Sequence, residues 1–194
     1  MLEAELKQGN VLKKLIDAVK EFINEANFDC SSAGIKLQAM EGNHVTLVQF
    51  LLRSEGFETY RCDRNVCLGI NIQSLAKILK CAGNDDAATL KADDNGDILN
   101  IAFSGVTNEK SSEFDLKLLS LNTQGFAIPE TVYDATVTFS ALEFQRICRD
   151  LSSLSETVAV SVAKDSVNFS AEGDIGKGSI YVKPAASADS EVRT

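Results

Sequence analysis

Histidine is all but missing from this chain of 194 residues, where His44 stands alone. The five cysteines, Cys30, Cys62, Cys67, Cys81 and Cys148, form no CxxC pair. With neither ligand type clustered at metal-binding spacing, no zinc or other metal site and no cofactor are expected. An odd set of thiols so spaced reads as reduced, mostly buried cysteine of an intracellular protein. No apolar stretch approaches the roughly 20 residues of a membrane span, so no membrane partner is expected. The opening Met1-Leu-Glu-Ala-Glu-Leu-Lys7 carries acids where a secretory leader needs a basic start and an apolar run. Positive charge is scarce too. Against 28 Asp plus Glu there are 19 Lys plus Arg, a net charge of −9, which argues against a surface that binds nucleic acid everywhere. Any contact with a polyanion has to be local.

Signatures of catalysis are also missing. Gly173-Asp-Ile-Gly-Lys-Gly-Ser179 has the outline of a phosphate loop, but Gly178 follows Lys177 where Ser or Thr is needed, and Ala171 replaces the leading glycine. No GxSxG nucleophile motif occurs, and His44 has no triad partners in sequence. The chain reads as a non-enzyme.

What is present is a hydrophobic content of 44% with mean hydropathy near zero, enough for one large or two modest cores. The chain also repeats. Residues 12–39 lie on residues 144–171 without a gap. Leu12, Leu15, Ile16, Val19 and Phe22 fall on Phe144, Ile147, Cys148, Leu151 and Leu154, the three-and-four spacing of one helix face. Ala26, Phe28 and Cys30 then fall on Val158, Val160 and Val162, and Ile35, Leu37 and Ala39 on Val167, Phe169 and Ala171. That switch to period two predicts a hairpin, closed by Ser31-Ser-Ala-Gly34 in one copy and Lys164-Asp-Ser166 in the other.

Copy one continues with strands over Val45–Leu52 and Thr59–Cys67, a second helix at Ile72–Cys81, and strands near Ala88–Ala92, Ile98–Phe103 and Glu113–Leu118. Asp93-Asp-Asn-Gly-Asp97 predicts a hairpin turn, because Asn-Gly accommodates positive φ. The expected organisation is a first domain over 1–118, an extended connector over 119–134 in which Pro129 would interrupt a helix or ladder, and a partial second domain over 135–194. By the repeat, about 64 further residues, including a second helix, would complete copy two.

On a wheel advancing about 100° per residue, Lys13, Lys14 and Lys20 lie opposite the apolar face of the first helix. Arg146 and Arg149 take the same place in the repeat, and Lys77 and Lys80 point away from Ile72, Leu75 and Leu79 in the second helix. Any one of these is an ordinary solvated lysine or arginine. Seven on equivalent faces of three helices, in an acidic protein, suggest a surface for phosphates without base readout.

Five segments carry a family resemblance: Leu12-Lys-Lys-Leu15, Arg53-Ser-Glu-Gly-Phe57, Tyr60-Arg-Cys-Asp-Arg64, Ser74-Leu-Ala-Lys-Ile-Leu-Lys-Cys-Ala-Gly-Asn84 and Arg146-Ile-Cys-Arg-Asp-Leu151. The chain resembles the proliferating cell nuclear antigen family, the eukaryotic sliding clamps, over residues 1–183. The resemblance implies an α+β DNA-clamp fold of two similar domains, sheets outside and helices lining a ring hole, with the second domain incomplete here. It implies a homotrimeric, nuclear processivity factor that encircles double-stranded DNA and recruits replicative and translesion polymerases, a clamp loader and repair proteins. Lys13, Lys14, Lys20, Lys77, Lys80, Arg146 and Arg149 would face DNA. Clients would insert a short helical motif at Met40, His44, Val45, Leu47, Leu121, Phe126, Ile128 and Pro129, with Phe126 standing where a smaller aliphatic is common. Subunits would meet through the strands holding Lys110, Phe114 and Lys117 on one side and Ile175, Gly178 and Tyr181 on the other. Lys164 matches a lysine that carries ubiquitin or a related modifier. A different class of reading is a truncated paralogue or fragment that binds clients, or poisons rings, without closing one itself.

Overall fold

The computed structural model describes residues 1–94, 96–105, 111–122, 125–128, 130–183 and 192–193. Two compact units divide the chain, Met1–Ala127 and Ile128–Thr194. The secondary structure is α+β, with three helices and antiparallel sheets among the described residues. None of these helices is long and apolar enough to cross a membrane.

The first unit runs β1 (Leu2–Leu6), α1 (Asn10–Val19), β2 (Glu25–Ser31), β3 (Gly34–Met40), β4 (Leu47–Arg53), β5 (Thr59–Cys62), β6 (Val66–Asn71), α2 (Ile72–Leu79), β7 (Ala87–Ala92), β8 (Ile98–Ser104) and β9 (Ser111–Lys117). Its strands make two sheets, β5-β1-β7-β8-β9 and β4-β3-β2-β6. Helices of this length are marginal alone, so packing holds them. Leu12, Ile16 and Val19 of α1 and Ile72, Leu75 and Leu79 of α2 are buried with alternate residues of both sheets. Truncating such a Leu or Ile to Ala costs about 2–5 kcal/mol, far more than any surface ion pair here contributes.

Several expectations are corrected in this unit. The strand expected over 59–67 is two strands in different sheets, with β5 pairing β1 and β6 pairing β2. The polar run Asp63-Arg64-Asn65 turns the chain between them, and period-two counting cannot register a change of sheet. Strand β1 was not expected at all, although Leu2, Ala4 and Leu6 alternate inward. Helix α1 ends at Val19, whose carbonyl accepts from both Phe22 N and Ile23 N. The chain thereby leaves the helical register, Phe22 becomes 54% exposed, and Ile23 enters the core instead. The turn expected at Asp93–Asp97 does join the antiparallel β7 and β8, closing through Gly96 N to the Asp93 carbonyl at 3.2 Å; Asn95 lies outside the described residues. Positive φ is needed at Gly34 (φ 130), where a Cβ would sit 2.0 Å from the Leu52 carbonyl oxygen.

The second unit holds β10 (Thr136–Val137), α3 (Ala141–Ser152), β11 (Ala159–Ala163), β12 (Ser166–Gly173), β13 (Gly176–Val182) and β14 (Val192–Arg193). The repeat appears in its hydrogen-bond register. Phe28 faces Leu37 and Cys30 faces Ile35 in the first unit; Val160 faces Phe169 and Val162 faces Val167 in the second. Val167, Phe169 and Ala171 pack with Ile147 and Leu151 of α3. The match weakens elsewhere. Phe144 and Cys148 are exposed on α3, and so are Val160 and Val162, whereas their counterparts on β2 are buried beside β6. Cysteine burial is corrected likewise. All five thiols are free, but only Cys30 is buried.

Candidate nucleic-acid and partner interfaces

Helices α1 and α2 pack against each other in the first unit, and two side chains show how. Gln73, in the first turn of α2, donates to the Lys20 carbonyl at the end of α1 (2.7 Å). Lys13, near the start of α1, reaches the Ala82 carbonyl beyond the end of α2 (3.5 Å). The pair is therefore antiparallel, and Gln73 satisfies a carbonyl that the helix end leaves open. The Asn71 side chain caps α2 by accepting from Ser74 N at 2.9 Å.

The five lysines expected here all lie off the buried stripe. Lys14, Lys77 and Lys80 are exposed; Lys13 and Lys20 are half-buried. Lys20 pairs with Asp17 at 2.7 Å. That hydrogen bond, aided by the charges of Lys20, Lys80 and Lys13, holds the Asp17 carboxyl below its ordinary 3.8 despite some desolvation, and in return raises the Lys20 ammonium. One carboxylate thus sits among lysines of both helices. In the second unit, Arg146 and Arg149 are exposed on α3, whose start is capped by Ser140 accepting from Glu143 N at 3.2 Å.

The residues expected to receive clients gather partly around one end of the β3–β4 hairpin. Met40 pairs with Leu47, and the loop between them is tied by Glu41, whose backbone N–H donates to the Thr46 carbonyl and whose carboxylate accepts twice from Asn43. His44 takes a positive φ of 58° and puts Nδ1 3.2 Å from Met40 Sδ. Val45 is 85% exposed, which removes it from the core. Phe126 comes to the same sheet face, because its backbone N–H and C=O both bond to the Gln38 side chain of β3. Leu121 lies apart, in a depression of about 330 Å³ lined also by Asn27, Cys67, Gly69 and Leu119. Ile128 is exposed and belongs to the second unit. Pro129 and Lys110 lie outside the described residues.

Strands β9 and β13 each lie at the edge of their sheet among the described residues. Phe114 is half-buried against Phe103 (ring centroids 5.9 Å), so its ring faces its own core, while Lys117 is exposed. On or beside β13, Ile175 and Tyr181 are 77% and 65% exposed, and Gly178 lies where a Cβ would meet Leu154 at 2.5 Å. Lys164 is exposed in the β11–β12 turn. Sequence reasoning missed Gln38, Gln73 and Gly69, whose partners are distant in the chain and whose residue types carry no periodic signal. Comparison with protein families matches residues 1–125 to the N-terminal domain of proliferating cell nuclear antigen and residues 127–193 to its C-terminal domain. Together the two matches span nearly the whole length, and the chain belongs to the proliferating cell nuclear antigen family of sliding clamps.

Proposed function

We propose that this chain closes a homotrimeric ring around double-stranded DNA in the nucleus and slides without sequence preference. On this reading it is a non-catalytic scaffold that holds replicative and translesion polymerases, its clamp loader and repair proteins on the template. The observation that carries the proposal is the antiparallel α1–α2 pair with Lys13, Lys14, Lys20, Lys77 and Lys80 off its buried stripe, in a chain of net charge −9. Lysines on a regular helix surface meet phosphates and no base edges, so affinity falls steeply with salt and carries no sequence information. Arg146 and Arg149 on α3 extend the same chemistry. Clients enter at Met40, His44, Val45, Leu47, Leu121, Phe126, Ile128 and Pro129, and the exposed Lys164 takes a ubiquitin-type modifier.

Topology, more than contact, supplies the grip. The test is retention on DNA after incubation with a clamp loader and ATP. Protein should stay on a nicked circle in high salt and be lost when the circle is linearised. Equal loss from both forms, with only monomer in sedimentation at micromolar concentration, would overturn the ring and favour a client-binding or ring-poisoning role.

A further inference from the structure

Outward-facing side chains of β3 do something that the family match does not require. Burial alternates along the strand, with Ile35, Leu37 and Ala39 inward and Lys36, Gln38 and Met40 on the other side. Gln38 Nε2 donates to the Phe126 carbonyl at 2.7 Å, and Gln38 Oε1 accepts from Phe126 N at 2.9 Å. A primary amide presents one donor and one acceptor side by side, as the N–H and C=O of a single residue do along a strand edge, so this side chain closes on Phe126 much as a neighbouring strand would. The amide orientation is fixed by its partners. A flipped amide would set its carbonyl against the Phe126 carbonyl and its N–H against the Phe126 N–H. Gln49, directly across on β4, adds a third bond by accepting from Nε2 at 3.1 Å.

The stretch leading to Phe126 is held at its start as well. Leu119 N donates to the Gly69 carbonyl at 2.8 Å in an isolated antiparallel bridge, and Asn27 Nδ2 reaches the Leu121 carbonyl at 3.5 Å. Gly69 is required there, because a Cβ would lie 2.0 Å from the Leu119 oxygen. The described residues of this stretch, 118–122 and 125–127, form no regular strand, so these few bonds replace the ladder they lack.

We infer that Gln38, steadied by Gln49, is a latch that holds the connector on the sheet and thereby positions Phe126 beside Met40 and the 41–46 loop for client binding. It is a positioning residue that touches no client. The inference rests on the client-site reading proposed above. Its physical content is preorganisation. A connector already fixed in place loses little conformational freedom when a peptide arrives, whereas a loose one has to be ordered at the expense of affinity.

The test uses the whole chain and two substitutions. In Gln38→Ala, hydrogen exchange at the Phe126 amide should rise to that of a free loop while the core amides of β2 and β3 stay protected. Affinity for a synthetic peptide carrying a short helical motif with aromatic anchors should fall about five- to tenfold, an effect of the size expected for losing preorganisation. In Gln38→Glu, the ionised side chain can still accept from Phe126 N but turns its second oxygen on the Phe126 carbonyl. The latch should therefore be open at neutral pH and close on acidification, when the protonated carboxyl regains a donor. The Phe126 amide resonance should report that closure, a pH response that a merely structural residue would not give. Protection of Phe126 that survives Gln38→Ala overturns the latch. Protection lost with unchanged peptide affinity overturns its positioning role. A parent chain that fails to bind the peptide instead sinks the client-site reading, and the Phe126 exchange still decides whether the latch exists.

Discussion

At the scale of single residues, the thiols show how far environment separates one side-chain type. Cys30 is 1% exposed on β2, and burial, with smaller contributions from Cys62, Asp29 and Cys67, pushes its thiol up from 9.0 to about 12. Burial likewise raises the Tyr60 phenol, whose hydroxyl donates to the Ser31 carbonyl at 2.7 Å. For Cys30 the folded chain keeps its proton to higher pH than the unfolded chain does. Its contribution is therefore fully present below about pH 9 and is lost as the pH rises toward 12, by roughly 1 kcal/mol per pH unit between those values. Chemical denaturation of parent and Cys30→Ala between pH 8 and 11 isolates the effect. The variant starts less stable, because a buried sulfur is gone, but its stability should fall less steeply with pH. Parallel slopes for the two proteins would show that the Cys30 thiolate is not excluded by the fold.

At the scale of elements, Asp17 is the carboxylate that neutralises part of the positive charge on the α1–α2 pair. Its carboxylate bonds Lys20 and lies near Lys13 and Lys80, so on the proposed reading it would compete with DNA for these cations. Asp17→Asn should raise affinity for a duplex of random sequence severalfold and steepen the log–log salt dependence by roughly one counterion, with circular dichroism unchanged. An unaltered salt slope would place Lys20 away from DNA. The helices, the β2–β3 and β11–β12 hairpins and the lysines of both α1 and α2 were legible in sequence, because apolar periodicity reports which side of an element faces a core. Three things were not legible. The change of sheet between β5 and β6 rests on three polar residues and leaves no mark on the period. The exposure of Phe22 follows from a helix ending one turn earlier than its apolar spacing suggests. The bond from Gln38 to Phe126 joins residues 88 positions apart, and only folding brings them together.

At the scale of the whole molecule, the proposed ring depends on two sheet edges. Strands β9 and β13 terminate their sheets among the described residues, and an unpaired edge offers backbone groups to another chain. Pairing β9 of one copy with β13 of the next satisfies both edges and is the head-to-tail kind of contact that closes a ring. The two edges carry exposed opposite charges, although Lys117 adds a positive one to β9. Glu113 and Asp115 lie on β9, with Lys177 on β13 and Lys183 just beyond it. Glu113 and Asp115 accept from the neutral Asn100 amide at 2.7 and 2.9 Å, and Lys177 approaches Glu172 only to 3.5 Å, so both rows keep charge for a neighbour. Reversing either row, by Glu113→Lys with Asp115→Lys or by Lys177→Glu with Lys183→Glu, should raise the concentration needed for assembly at least about tenfold in sedimentation velocity at low salt. Reversing both rows in one chain should restore it. An equimolar mixture of the two double variants is the sharper case. Favourable contacts then alternate between the two kinds of subunit, and a ring of three cannot alternate around a closed circle. Such a mixture should therefore give open or even-numbered assemblies, and a normal closed trimer from it would show that these charged rows do not face each other.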